Sequence, residues 1–364
     1  MKIGINGQRL LIENPAGPEI YTYNIINALA KIDHDNMYVI YFDKSPTPQY
    51  FAALTKSNHC FSYKVVRPFV SWTQISLALE LLLHPVDVFF TAVHTMPIVH
   101  LPQAKIVAMI HGLEYKYNSI VKSAWPLWYT ALFSTKIIVP SQYTKTQLLQ
   151  KRWGVKENKL AIISEGVDDK FYKRPQTEIN QVTAKYNISD TPYFLFVSTI
   201  QPRKNLPKLV EGFSMFAKNN PKFKLCISGK LGWNYEESIT SPKKFGVEDS
   251  VLFLGRTSDS ELPALLSGAT AFVSTSLEEG FGLPLLEALA CETPCLVSDI
   301  DAFKALGKAF VMYVDPHDSL AIAESLQKVC ETVHDDSLKQ ARDYAKNLTW
   351  ENSAKETLTV FKNL

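Results

Sequence analysis

The feature that most limits the fold is an alternation that runs along the chain and restarts halfway. Short runs rich in Val, Ile, Leu and Phe alternate with longer stretches whose apolar residues recur at helical spacing. The first half offers strands at Lys2–Asn6, Tyr38–Phe42, Val86–Phe90, Lys105–Ile110, Lys136–Val139 and Leu160–Ile163. Helices lie between them, such as Glu19–Lys31, with Ile20, Tyr23, Ile26 and Ala30 on one face. The second half offers strands at Tyr193–Ser198, Lys224–Ser228, Val251–Leu254, Ala271–Ser274 and Pro294–Val297. Its helices are expected at Asn205–Lys218, Ser260–Leu266, Pro284–Cys291 and His317–His334. Strand and helix in strict alternation predict an α/β fold with parallel sheets. The 364 residues suit about two domains. We place them at 1–172 and 191–345, with a polar linker at 173–190 carrying Pro175 and a closing helix at 346–364. Two doubly wound sheets facing each other would leave a cleft at the carboxyl ends of their strands, where such folds bind ligands.

Composition narrows the class. Apolar residues make up 46% and charged residues 20%, enough for two cores. Met1-Lys-Ile-Gly-Ile-Asn lacks the basic segment, apolar stretch and cleavage site of a signal peptide. The richest apolar stretch, Ile75 to Phe90, is broken by Glu80, His84, Pro85 and Asp87, so no spanning helix is expected. Five cysteines without zinc spacing point to a reducing, cytoplasmic setting, with Cys291 and Cys295 as small buried residues. The net charge of +2 hides an asymmetry. Residues 1–174 hold 19 Lys and Arg against 12 Asp and Glu, whereas residues 175–364 hold 19 against 24. The basic half could meet an anionic membrane surface, bind an acidic acceptor, or be a solvated face. No nucleic-acid motif accompanies it.

The segment that carries chemistry runs from Ser274 to Cys295: Ser-Thr-Ser-Leu-Glu-Glu-Gly-Phe-Gly-Leu-Pro-Leu-Leu-Glu-Ala-Leu-Ala-Cys-Glu-Thr-Pro-Cys. A strand ends near Ser274, a loop with Gly280, Phe281, Gly282 and Leu283 follows, and Pro284 suits the first turn of a helix. A helix start behind such a loop offers free N–H donors to phosphate or sugar oxygens. Glu279 on the loop and Glu287 a turn into the helix can be aimed at one ligand, one accepting from sugar hydroxyls and the other from ribose hydroxyls. The plainer alternative makes both glutamates helix-start charges favoured by the dipole. The order glutamate, glycine, aromatic, glycine, leucine, proline and a second glutamate weighs against it.

These residues resemble the EX7E motif of the family 4 (group 1) retaining glycosyltransferases, and the resemblance covers nearly the whole chain. It implies the GT-B architecture, two facing Rossmann-like domains with a cleft between them. Val197-Ser-Thr-Ile-Gln-Pro-Arg-Lys-Asn-Leu resembles the family's loop for the donor diphosphate, with Arg203 and Lys204 as the cations. Fixed cations stabilise the charge that gathers on a departing diphosphate. Lys230, in Leu225-Cys-Ile-Ser-Gly-Lys-Leu-Gly-Trp, is either a phosphate or base contact or a surface lysine. Phe253-Leu-Gly-Arg resembles the loop whose backbone reads the nucleobase, with Gly255 allowing close approach and Arg256 divided between donor and surface roles. Gly17 resembles the glycine that nears the donor in the family's first loop, although Pro18 stands where a second glycine is common. Gly4, Gly7 and Gly17 do not make a dinucleotide fingerprint. His111 ends a strand where the family carries a histidine near the transferred sugar, bonding a hydroxyl or supporting charge at the reacting carbon. Ser141 and Asp168 read as a cap and a turn residue. Thr349-Trp-Glu-Asn-Ser-Ala resembles the closing helix that packs back towards the first domain.

The implied reaction moves a hexose from a nucleoside-diphosphate sugar to a glycan or lipid-linked acceptor with retention, by a front-face route and without metal or other cofactor. Glu279 then positions the sugar and is no covalent nucleophile. The Gln-Pro-Arg-Lys-Asn and Gly-Lys-Leu-Gly-Trp loops look most like mannosyltransferase members that use GDP-mannose. Asp299-Ile-Asp301 spells a metal-diphosphate signal of another fold and reads here as a polar loop. Trp125, Trp128, Tyr129 and Phe133, among Lys122 and Lys136, are either a membrane-surface patch beside a lipid-linked acceptor or core packing. Two departures stand out. Glu292 occupies a position that is usually glycine, and residues 302–309 lack the family's proline-glutamate and glycine-aspartate pairs. The alternatives are a nucleotide-sugar epimerase of the same fold and a non-catalytic nucleotide-sugar-binding subunit.

Overall fold

The computed structural model describes residues 1–13, 15–69, 71–93, 95–98, 104–113, 125–332 and 335–364. They divide into two compact units. The first comprises Met1–Gly166 and Thr349–Leu364, and the second Val167–Leu348.

The first unit is built on strands β1 (Lys2–Asn6), β2 (Met37–Phe42), β3 (Phe61–Val65), β4 (Val88–Thr91), β5 (Lys105–Met109), β6 (Lys136–Val139) and β7 (Leu160–Ile162). They form one parallel sheet in the order β3-β2-β1-β4-β5-β6-β7. The chain starts at β1, winds to one edge, then returns to the other side at β4, so the switch point lies between β1 and β4. The helix Gly17–Ile32 buries Tyr21, Ile25, Ile26 and Leu29. The C-terminal helix Trp350–Lys362 packs against it, with Lys31 and Glu351 paired at 2.6 Å.

The second unit repeats the plan with β8 (Tyr193–Val197), β9 (Lys224–Ser228), β10 (Val251–Gly255), β11 (Ala271–Ser274), β12 (Cys295–Ser298) and β13 (Met312–Val314). Their order is β10-β9-β8-β11-β12-β13, all parallel, with the switch between β8 and β11. Strand periodicity sends alternate side chains to opposite faces. Phe194 and Phe196 join the layer of the helices Leu206–Ala217 and Ser319–Glu331, whereas Tyr193 and Leu195 join that of the helix Leu283–Ala290. Cys291 and Cys295 are buried apolar residues there, as expected. Burial first, then the Glu287 charge, pushes the Cys291 thiol up to about 12.

Several boundaries differ from the expected ones. The stretch expected as a linker, 173–190, holds the helix Gln176–Lys185 inside the second unit, and the division falls after Gly166 instead of residue 172. Ile179 and Thr183 bury its narrow apolar face. The second unit runs to Leu348, and the closing helix starts at Trp350, capped by Thr349. Strands β3 and β13 are additions. Asp301 is no loop residue but opens the helix Asp301–Gly307, and Asp299 pairs with Lys304. The helix expected at His317–His334 is Ser319–Glu331, and His334 lies outside the described residues. Trp125 and Phe133 are 47% and 50% exposed, so core packing does not account for them. Lys122 lies outside the described residues. No helix among the described residues is long and apolar enough to cross a membrane.

Glu292 explains its own departure. It follows the helix Leu283–Ala290 with φ +55°. Its N–H reaches the Leu289 carbonyl at 3.1 Å, and the Thr293 N–H reaches the Ala288 carbonyl at 3.0 Å. This is the left-handed helix ending that favours glycine, and a side chain there costs roughly 1–2 kcal/mol. Glu292 offsets part of that through Arg342, at 2.5 Å. Such half-exposed pairs contribute about 0.2–1 kcal/mol. Urea unfolding should therefore rank Glu292→Gly at least as stable as wild type, and Glu292→Ala below both, because alanine keeps the strain and loses the pair. An alanine variant equal to the glycine variant would refute this.

Candidate active site

The loops after β8 and β11 meet at the switch point of the second sheet, where doubly wound folds place ligands. The first carries the turn Pro202–Lys204 and then Asn205, in the left-handed conformation at φ +54°. The second carries Glu278, Glu279 and the glycines. Backbone bonds tie them: the Leu277 N–H donates to the Arg203 carbonyl at 2.8 Å, and the Thr275 hydroxyl to the Asn205 carbonyl at 3.2 Å. The loop after β9 props the first from behind. The Ile200 N–H donates to the Lys230 carbonyl, and the Gly232 N–H to the Ile200 carbonyl, both at 2.9 Å. Gly229 is needed because a Cβ on it would lie 1.7 Å from the Ser198 carbonyl oxygen.

This frame brings together Glu279, Arg203 and Lys204. Arg203 donates to Glu279 Oε2 at 2.9 Å and to the Glu278 carbonyl at 2.9 Å. Lys204 Nζ donates to Glu279 Oε1, which also accepts from the Ser276 hydroxyl at 2.7 Å. The two cations are only 6% and 7% exposed. Burial alone would raise the Glu279 carboxyl, but Lys204 and Arg203 outweigh it and hold it down to about 2. A carboxylate so neutralised is a weak nucleophile and a weak base. Buried charges of this kind persist only when paired, and removing one partner typically costs about 3–5 kcal/mol.

The helix Leu283–Ala290 starts beside the cluster. Gly282 is its N-cap at φ +108°, and a Cβ there would meet the Phe303 ring at 2.9 Å. Phe281 is buried in the core beneath, with Leu283 packed against the same core. They hold the loop from below. Gly280 bends the loop between Glu279 and Phe281. Glu287 is half-buried one turn into the helix. Lys230 is half-buried on the loop after β9. Gly255 ends β10 at φ +68° with open space where a Cβ would lie, and Arg256 stands 3.8 Å from Asp259.

Gly17 and His111 belong to the first unit. Gly17 begins the helix Gly17–Ile32, and a Cβ on it would meet nothing within 4 Å, so packing does not demand glycine there. His111 lies past the end of β5 with both ring nitrogens in use: Nε2 faces the Ala92 carbonyl at 3.0 Å and Nδ1 faces Glu165 Oε1 at 3.2 Å. In this arrangement neither nitrogen is left for a sugar hydroxyl, one of the two roles expected of it. Glu165 was not anticipated. The signal was an acidic residue beside a glycine, closing the apolar run Leu160–Ile163. Ser141 caps the helix Gln142–Gln150, accepting from the Thr144 N–H, and Asp168 accepts from the Lys170 N–H, both turn-forming roles as expected.

Comparison with known proteins agrees with this layout. The family described as Glycosyl transferases group 1 matches residues 178–348, and that described as Glycosyltransferase Family 4 matches residues 15–171. The O-antigen chain mannosyltransferase B of Escherichia coli is 26% identical over 258 residues, 69% of this chain and 67% of that one. The O-antigen chain mannosyltransferase RfbU of Salmonella typhimurium is 25% identical over 217 residues, 60% of this chain and 57% of that one. The match thus spans less than two thirds of the second relative's length. The solved structure of Anabaena Alr3699/HepE in complex with UDP-glucose superposes with a TM-score of 0.79 over 100% of both chains, at 15% identity. That likeness shows the fold, two parallel-sheet α/β domains of the GT-B kind.

Proposed function

Since this chain belongs to the group 1 glycosyltransferases, we propose that it moves a hexose from a nucleoside-diphosphate sugar to a glycan or lipid-linked acceptor, with retention and without a metal. The observation that carries this reading is the cluster of Arg203, Lys204 and Glu279 at the switch point of the second sheet. The diphosphate takes over the two cations, which neutralise the charge it gathers as the sugar leaves. Glu279, released from them, accepts from a sugar hydroxyl. Glu287 binds ribose hydroxyls, while Lys230, Gly255 and Arg256 line the nucleotide. The departing phosphate takes the acceptor's proton on the same face. GDP-mannose is the favoured donor, in keeping with the mannosyltransferase names of the relatives. The basic first half, with Trp125 and Phe133 exposed, supports peripheral contact with an anionic membrane surface near a lipid-linked acceptor.

Incubation with radiolabelled GDP-mannose, UDP-glucose and other nucleotide sugars, with and without extracted lipid acceptors, tests the proposal. Label is expected in the acceptor, from GDP-mannose above the others. Release of free sugar and nucleotide independent of acceptor would favour the epimerase instead. Binding without turnover would favour a sensor subunit.

A further inference from the structure

We propose that Glu165 is the positioning residue that fixes the His111 ring; its catalytic consequence rests on the glycosyl-transfer reading above. Glu165 is 4% exposed, so its carboxyl group needs a partner, and it meets His111 Nδ1 at 3.2 Å. The opposite nitrogen, Nε2, faces the Ala92 carbonyl at 3.0 Å. A carbonyl only accepts, so Nε2 carries a hydrogen. The remaining proton is then shared between Nδ1 and Glu165. Wherever it sits, both ends of the ring are held and neither nitrogen can take a proton from an acceptor hydroxyl. Glu165 thereby keeps His111 from acting as a general base and fixes its ring past the end of β5.

The fold clamps Glu165 from both sides. Strand β7 is the edge strand, and the loop after it reaches back past β6 to the end of β5. On one side of Glu165, the Ser353 hydroxyl donates to the Ser164 carbonyl. On the other, Gly166 lies so close to the C-terminal helix that a Cβ would stand 2.2 Å from the Trp350 nitrogen. Tyr21 closes the cage, its ring edge-on to His111 at 4.9 Å and to Trp350 at 5.7 Å. The segment Thr349–Leu364, which returns to the first unit, thus holds the backbone on both sides of Glu165.

The test uses the full chain with Glu165→Gln, Glu165→Ala, His111→Ala and the double variant Glu165→Ala/His111→Ala. Nitrogen-15 spectra of the histidine rings read the contact without activity. A ring nitrogen sharing a proton at Nδ1 is expected in wild type, moved in Glu165→Gln to the position of a nitrogen that accepts from an amide, and moved in Glu165→Ala to that of an unbonded nitrogen. In transfer assays, Glu165→Ala should lose ~10- to 100-fold in kcat with donor KM within ~3-fold, since small misplacements cost on that scale. Glu165→Gln should recover most of it. The double variant should be no slower than His111→Ala, because a residue that acts only through another adds nothing once that other is gone. Losses that add in the double variant, or an Nδ1 signal unchanged in Glu165→Ala, would overturn the proposal. A wild-type protein that transfers no sugar overturns the functional reading instead, and the ring spectra then decide on Glu165 alone.

Discussion

Glu279→Gln is expected to lower turnover by roughly 10²- to 10³-fold while binding of the free nucleoside diphosphate holds or tightens by up to ~10-fold. The two effects have one cause. The carboxylate is shared by Arg203 and Lys204 and accepts from Ser276. A diphosphate has to displace it from both cations. The amide keeps the shape and one acceptor oxygen but not the charge, so the cations are freer to meet phosphate. Under the proposed function the transferred sugar loses a charged acceptor that holds it for reaction, and misplaced reactants lose rate on this scale. Glu287→Ala should instead raise donor KM by roughly 10- to 100-fold, the worth of one or two charge-assisted bonds to hydroxyls made in ground and transition states alike. Steady-state kinetics and calorimetric titration of GDP check both. Wild-type turnover in Glu279→Gln beside lost turnover in Glu287→Ala would reverse the roles assigned here.

Gly229→Ala should cost about 3 kcal/mol or more, a fall in melting temperature of roughly 6–12 °C for a unit of this size. The added methyl would stand 1.7 Å from the Ser198 carbonyl oxygen, which is backbone and cannot rotate away. The loops after β8 and β9 must part, weakening the Ser198 N–H to Ser228 carbonyl bond of 3.0 Å and the Gly229 N–H to Gly255 carbonyl bond of 2.8 Å. Gly246→Ala is the matched control. It also sits at positive φ, +69°, but a Cβ there meets nothing within 4 Å, so only roughly 1 kcal/mol of backbone strain applies. Scanning calorimetry of the two variants compares them. Equal melting points would mean that close backbone approach is not what Gly229 provides.

How far the sequence reached depends on whether each signal was local. The loop from Ser274 to Pro284 was legible because Gly282, at φ +108°, and Pro284, in a first helical turn, meet local needs, and because Glu279 and Glu287 carry the EX7E spacing. Strands β4, β8 and β11 beside the switch points were legible because they are buried and read as near-continuous apolar runs. Strand β3 was not, since Ser62 and Tyr63 are exposed on a sheet edge and break the run. The helix Gln176–Lys185 hid in a polar stretch because it buries little more than Ile179 and Thr183. The role of Glu165 was hidden for another reason. Its partner His111 lies 54 residues away, and only the winding of β5, β6 and β7 brings them together. Glu292 was noticed as a departure, but its compensation by Arg342, 50 residues on, needed the fold.

The proposed transfer depends on Arg203 and Lys204 gripping the diphosphate of the donor. Calorimetric titration of GDP and GMP, with UDP and UMP in parallel, into wild type, Arg203→Met and Lys204→Met tests this most directly. Each single variant leaves Glu279 one cation and so preserves the buried pair. Wild type should prefer a diphosphate over its monophosphate by about 10²-fold, and each variant should lose roughly 10-fold or more of that preference, the worth of a charge-assisted bond. A preference for the second phosphate that is undiminished in both variants would contradict the account.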